Sequence, residues 1–262
     1  RRAWVSRRPL LFIIGRTARV PCRRRPVNAT LGRMATHIMP AYEYATRGSQ
    51  RWLQLAVAEA PDLLRSSLVA CGAVKPSESV AWSAPLASES FAEPRDEEAL
   101  RKAGIVKLPD RSLHDFWPKG GPVWDAVARV GNASLFVEAK AHIKEAESPP
   151  SKASPQSLLK IQAALAEARQ FYAPASLADW HLTYYQYANR LAHHYLLKHL
   201  NGIDSRLVFL YFLNAKEMNG PSHTHEWEAV TSRIHAALGL PASLQSLGVF
   251  HAYLDVSELN AP

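Results

Sequence analysis

The stretch PVWDAVARVGNASLFVEAKA, residues 122–141, decides the reading of this chain. Pro122 to Arg129 and Ser134 to Ala141 are two apolar or alternating runs, separated by Val130-Gly131-Asn132-Ala133. Gly-Asn supplies the positive-φ backbone that a two-residue hairpin turn demands, so the spacing predicts a β-hairpin turning on Gly131 and Asn132. In that register paired residues have numbers summing to 263, which sets Asp125 opposite Glu138, Val123 opposite Lys140 and Val127 opposite Phe136. Within the second strand, alternation sends Leu135, Val137, Ala139 and Ala141 to one face and Glu138 and Lys140 to the other. Two carboxylates facing each other across a ladder repel unless something positive lies between them. A cation, with Lys140 beside it, resolves that conflict.

Working outward, an amphipathic pattern carried by Trp52, Leu53, Ala56, Ala60, Leu63 and Leu64 predicts a first helix from Gly48 to about Val69, kinked at Pro61. Val80 to Leu86 reads as a short strand, Glu93 to Lys102 as a solvated helix or loop, and Lys107 to Gly121 as irregular. After the hairpin, helical patterns run over Gln156 to Tyr172 and Leu182 to Leu200, the second stopped by Asn201-Gly202. Ser205 to Leu213 is so continuously apolar that it predicts a strand buried on both faces. Glu226 to Leu238 follows as a helix and Gly248 to Val256 as a last strand. This order describes an α/β fold, a mixed β-sheet flanked by helices, with a βαβ crossover from the hairpin to the Leu207 strand.

The length of 262 residues and 47% hydrophobic content suit one main domain, assigned to residues 41–262. The net charge of +8 and a pI near 9.6 point toward nucleic acid or an anionic surface, until the charge is located. Ten of the 31 basic residues are arginines within positions 1–33, which hold no Lys, Asp or Glu. The rest of the chain carries 21 basic against 23 acidic residues. Residues 1–40 therefore read as a basic tail, disordered or upstream of a natural start at Met34, with a targeting or nucleic-acid-binding arm as the alternative. The apolar run Leu10 to Ile14 is too short for a membrane span, and no membrane association is expected. Cys22 and Cys71 make neither a disulfide framework nor a cysteine-based zinc site, and a reducing cytoplasm fits.

Asp125, twelve intervening residues and then Glu138-Ala139-Lys140 at the end of an apolar strand resemble the PD-(D/E)XK, restriction-endonuclease-like nuclease superfamily. The resemblance implies a mixed sheet flanked by helices, a Mg²⁺ or Mn²⁺ ion, and hydrolysis of nucleic-acid phosphodiesters, with DNA the expected substrate. It implies that Asp125 and Glu138 bind the metal, that Lys140 assists the nucleophilic water, and that the Ala139 carbonyl also faces the metal. Trp124 stands where many members have proline. Members often add an acidic residue from the first helix, a role open to Glu59, which is equally readable as a solvated side chain. They also add a Gln or basic residue from a later helix, which favours Gln186 and Arg190 as phosphate or water contacts; the other reading is a helix with aromatic core residues and an exposed Arg.

His142, two residues beyond Lys140, is a candidate for the rim of the cleft. His193, His194, His199, His223 and His225 match no established zinc spacing and are read as ordinary histidines. The reading leaves room for a homodimer. Its alternative is a catalytically inactive nuclease-fold protein acting as a nucleic-acid-binding or scaffold module, consistent with the near-neutral body of the chain.

Overall fold

A computed structural model describes residues 43–259; the expectations for residues 1–40 lie outside this range. In chain order the elements are α1 (Gly48–Ala58), α2 (Pro61–Ala70), β1 (Val80–Ala84), α3 (Asp96–Lys102), α4 (Leu113–Phe116), β2 (Ala126–Val130), β3 (Ala133–Lys140) and α5 (Ile143–Ala146). Then come α6 (Pro155–Tyr172), α7 (Tyr185–Tyr195), β4 (Ser205–Leu213), α8 (Thr224–Leu238) and β5 (Val249–Asp255). The five strands lie in sequence order in one mixed sheet. β1/β2 and β2/β3 are antiparallel; β3/β4 and β4/β5 are parallel.

The hairpin register is the expected one: Val127 pairs with Phe136 and Val130 with Ala133. Of the two turn residues only Gly131 has a positive φ, +59°, the pattern of the turn class that needs glycine first. The expected single helix over 48–69 is two helices instead. Pro61 begins α2 rather than kinking a continuous helix, since it lacks the N–H a helix interior requires and suits a first-turn position. The stretch 107–121 also holds the short helix α4, capped by the Ser112 side chain accepting from Asp115 N–H.

Alternation along the strands builds two apolar layers. Leu135, Val137, Ala139 and Ala141 pack with Leu53 and Ala56 of α1 and Leu64 and Leu68 of α2. Phe136, Phe209 and Tyr211 face the opposite layer, with Leu165 of α6, Leu191 of α7 and Trp227 and Ile234 of α8. β4 feeds both layers, Leu207, Phe209 and Tyr211 to one and Val208, Leu210 and Phe212 to the other, which is why its sequence is apolar without alternation. The expected crossover runs from β3 through α5, α6 and α7 to the parallel strand β4. Among the described residues no helix is long and apolar enough to cross a membrane.

A candidate metal centre where the hairpin opens

The β2/β3 ladder ends at Ala126↔Val137, and the chain bends at Asp125. Asp125 therefore sits one residue beyond the ladder rather than within a strand opposite Glu138. Val123 does not pair with Lys140 as its register number predicts; it forms an isolated bridge with Arg95. The physical reason is that Asp125 replaces the next rung with its side chain: its Oδ2 accepts a hydrogen bond from Ala139 N–H at 2.7 Å. In an extended strand the N–H and C=O of one residue point to the same edge. The Ala139 carbonyl is thus directed to the edge that Asp125 occupies.

Glu138, with a side chain only 3% exposed, projects from β3 into the layer that contains α7. Lys140 donates to its Oε1. Arg190, from α7, donates Nε–H to Oε2 at 2.6 Å and Nη2–H to the Val123 carbonyl at 2.8 Å, and its guanidinium lies 4.9 Å from the centre of the Trp124 ring. Planar fork and stacking surface together hold Arg190 in one pose.

The charges follow from this enclosure. Asp125 retains some surface exposure but is surrounded by protein on most sides; burial first, and then the neighbouring Glu138 anion, push its carboxyl up to about 7. Burial alone would raise Glu138 as well, but the Arg190 and Lys140 charges outweigh it and hold that carboxyl below its ordinary range. Burial would lower the Lys140 ammonium; the Glu138 and Asp125 anions more than compensate and raise it.

Because the folded chain keeps the Asp125 proton to a higher pH than the unfolded chain, stability from this group is full below the ordinary value of 3.8 and is lost as pH rises toward about 7. The Glu138 contribution has the opposite sign and a separate window: it is present above the ordinary value of 4.5 and lost as pH falls through its lower folded value. A cation that needs Asp125 ionised should accordingly bind roughly tenfold more tightly at pH 8 than at pH 6. Thermal melts with titrated Mn²⁺ at the two pH values check this; equal stabilisation at both would separate Asp125 from the cation.

The structure treats the other expected residues unequally. Arg190 reaches the site, though its partner is the Glu138 carboxylate. Gln186 is exposed on α7 and lines, with Glu138, Lys140, Tyr187 and Tyr211, a cavity of about 10 Å³, room for about one water. Glu59 is not brought to the site: α1 covers the opposite face of the sheet, and Glu59 is exposed at the end of that helix, accepting from the Tyr44 hydroxyl. His142 caps α5 in a reciprocal arrangement with Glu145, its Nε2 3.8 Å from Glu145 Oε1, and so serves the chain turn after β3.

His193 and His194 are buried, with ring nitrogens bonded to the Asn189 carbonyl and to the Tyr172 hydroxyl and Ser205 carbonyl, respectively; burial lowers both rings below their ordinary range. The sequence reading missed Glu93 and Gln50, whose side chains bond to each other at 3.0 Å beside the site. Pro94, which favours an extended backbone for the residue before it, is the signal that residue 93 lies outside a helix.

Among the described residues, no group of three or more His, Cys, Asp or Glu side chains is placed to hold a metal ion. A cation here would rest on the two carboxylates and the Ala139 carbonyl, a donor set that suits Mg²⁺, which takes one or two carboxylates and keeps several waters. No family model matches the chain, and no significant match was found among curated proteins or solved structures.

Proposed function

We propose that the protein is a divalent-metal-dependent nuclease of PD-(D/E)XK type, hydrolysing nucleic-acid phosphodiester bonds, with DNA as substrate and Mg²⁺ or Mn²⁺ as cofactor. The observation that carries this reading is the pairing of two enclosed carboxylates, Asp125 and Glu138, at the point where a hairpin opens, with the Lys140 ammonium against one of them. Such a pair is costly in an ordinary sheet and useful where a cation is to be held. A mixed sheet with an antiparallel β1/β2/β3 part, a helical crossover and the parallel strands β4 and β5 is compatible with the restriction-endonuclease-like form of the fold.

When bound, the metal supplies an activated water and offsets charge on the phosphate. Asp125 and Glu138 would hold it, together with the Ala139 carbonyl. Lys140, released from Glu138, would donate a hydrogen bond to a phosphate oxygen or to the attacking water. Arg190 fixes the orientation of Glu138, and Gln186 lines the small cavity beside Glu138 and Lys140.

A second reading, an inactive nuclease-fold module that binds nucleic acid or serves as a scaffold, is favoured by one observation. Both Glu138 oxygens already have cationic partners, so the carboxylate is satisfied without metal. The 262-residue chain incubated with single-stranded, duplex and branched DNA and RNA, in Mg²⁺, Mn²⁺ or EDTA, separates the two. Metal-dependent cleavage is expected, reduced about a hundredfold in Lys140→Ala, the scale of losing one donor aimed at developing charge. Cleavage that persists unchanged in the variant sinks the mechanism, and binding without cleavage under every metal establishes the second reading.

A further inference from the structure

Glu93 lies outside the hairpin, in the segment between β1 and α3, yet the backbone brings it to the same place. Arg95 bridges Val123 in antiparallel sense, and Trp124 N–H donates to the Pro94 carbonyl at 2.9 Å. Pro94 and Trp124, the immediate chain neighbours of Glu93 and Asp125, are thereby hydrogen-bonded to each other. The Glu93 carboxylate is half-buried and accepts a hydrogen bond from the Gln50 side-chain amide at 3.0 Å, near the start of α1. It is also close enough to Glu138, Arg190 and Lys140 to feel their charges.

Lys140 and Arg190 are both committed to Glu138, and Gln50 is neutral, so Glu93 brings a further negative charge to two existing carboxylates with no ion-pair partner among the described residues. We propose that Glu93, held by Gln50, is a cation-positioning residue that accepts hydrogen bonds from waters carried by a divalent ion at Asp125 and Glu138. This rests on the metal-centre reading above. A contact through water adds no third direct ligand to the two carboxylates. It suits an ion such as Mg²⁺ that gives up its waters reluctantly. Residues that act on a metal through its first ligands commonly change affinity ten- to a hundredfold.

The test measures Mn²⁺ binding to the 262-residue chain by electron paramagnetic resonance, with thermal melts in EDTA as the readout of folding. Glu93→Gln is expected to weaken Mn²⁺ binding about tenfold or more without lowering the melting temperature in EDTA, because it removes a repelling charge and leaves the Gln50 contact possible. Gln50→Leu, which keeps the carboxylate and removes its tether, is expected to weaken binding by a smaller factor and is read alone if Glu93→Gln fails to fold. Binding in both variants equal to that of the parent, while Asp125→Asn loses it, overturns the role of Glu93 and leaves the metal centre standing. No Mn²⁺ binding by the parent chain removes both.

Discussion

Asp125→Asn is expected to abolish metal-dependent cleavage, by about a thousandfold, while making the metal-free protein more stable at pH 8. Asparagine is nearly the same shape, and its side-chain oxygen still accepts the Ala139 N–H that replaces a rung of the ladder. What disappears is an anion held against its preference, in a partly buried position beside the Glu138 anion. Removing that charge should add roughly 1 kcal/mol or more above pH 7, a rise of about 2–4 °C in Tm, and should flatten the fall in stability between about pH 4 and 7. Melts in EDTA across that range, together with a cleavage assay, read both halves. The opposite signs matter: lost activity with lost stability would mark Asp125 as a structural carboxylate, whereas lost activity with gained stability is the signature of a group kept for function.

The Arg190→Ala variant is expected to lose about 3 kcal/mol, the scale of removing one partner from a buried ion pair, and to melt roughly 6–12 °C lower. The guanidinium is almost fully enclosed, with a side chain 6% exposed, and three features depend on it. It satisfies Glu138 Oε2, bonds the Val123 carbonyl in the irregular segment leading to Asp125, and covers the Trp124 ring. Lys140 remains on the other oxygen of Glu138, so the loss should stay below complete unfolding. Arg190→Lys keeps the charge without the planar fork and is expected to recover only part of the deficit in urea denaturation. Full recovery would reduce the role of Arg190 to charge alone.

Much of this site was legible because β-structure carries its geometry in a period of two. Once Gly131-Asn132 fixed the turn, the faces of Glu138 and Lys140 and the pairing of Val127 with Phe136 followed. The doubly buried strand from Ser205 to Leu213 was legible for the same kind of reason, its composition having no polar side. Where the ladder stops was not legible. That depends on a side chain, Asp125, outcompeting a backbone partner for Ala139 N–H, and nothing in the alternation of residues marks it.

Glu59 failed for a different reason. Its position at the edge of an apolar stripe was readable, but which face of the sheet α1 would cover is set by tertiary packing. Glu93 was hidden because a single isolated bridge, Arg95 to Val123, leaves no periodic trace. Arg190 was anticipated as a contact, but its capture by Glu138 needed the depth of α7 in the fold.

The interior position of β4, paired on both sides, also bears on the order of events in folding. β2 and β3 meet across a two-residue turn, whereas β3 meets β4 across a long excursion of chain, Ser134 pairing with Ser205. Local closure is fast and distant closure slow, so the hairpin can form while Glu138 is still hydrated. Arg190 lies on α7, the last α-helix before β4 in the chain, so the counter-charge of Glu138 is carried by the segment that leads into the distant strand. Closing that long excursion would bring the counter-charge of Glu138 together with the walls that enclose it.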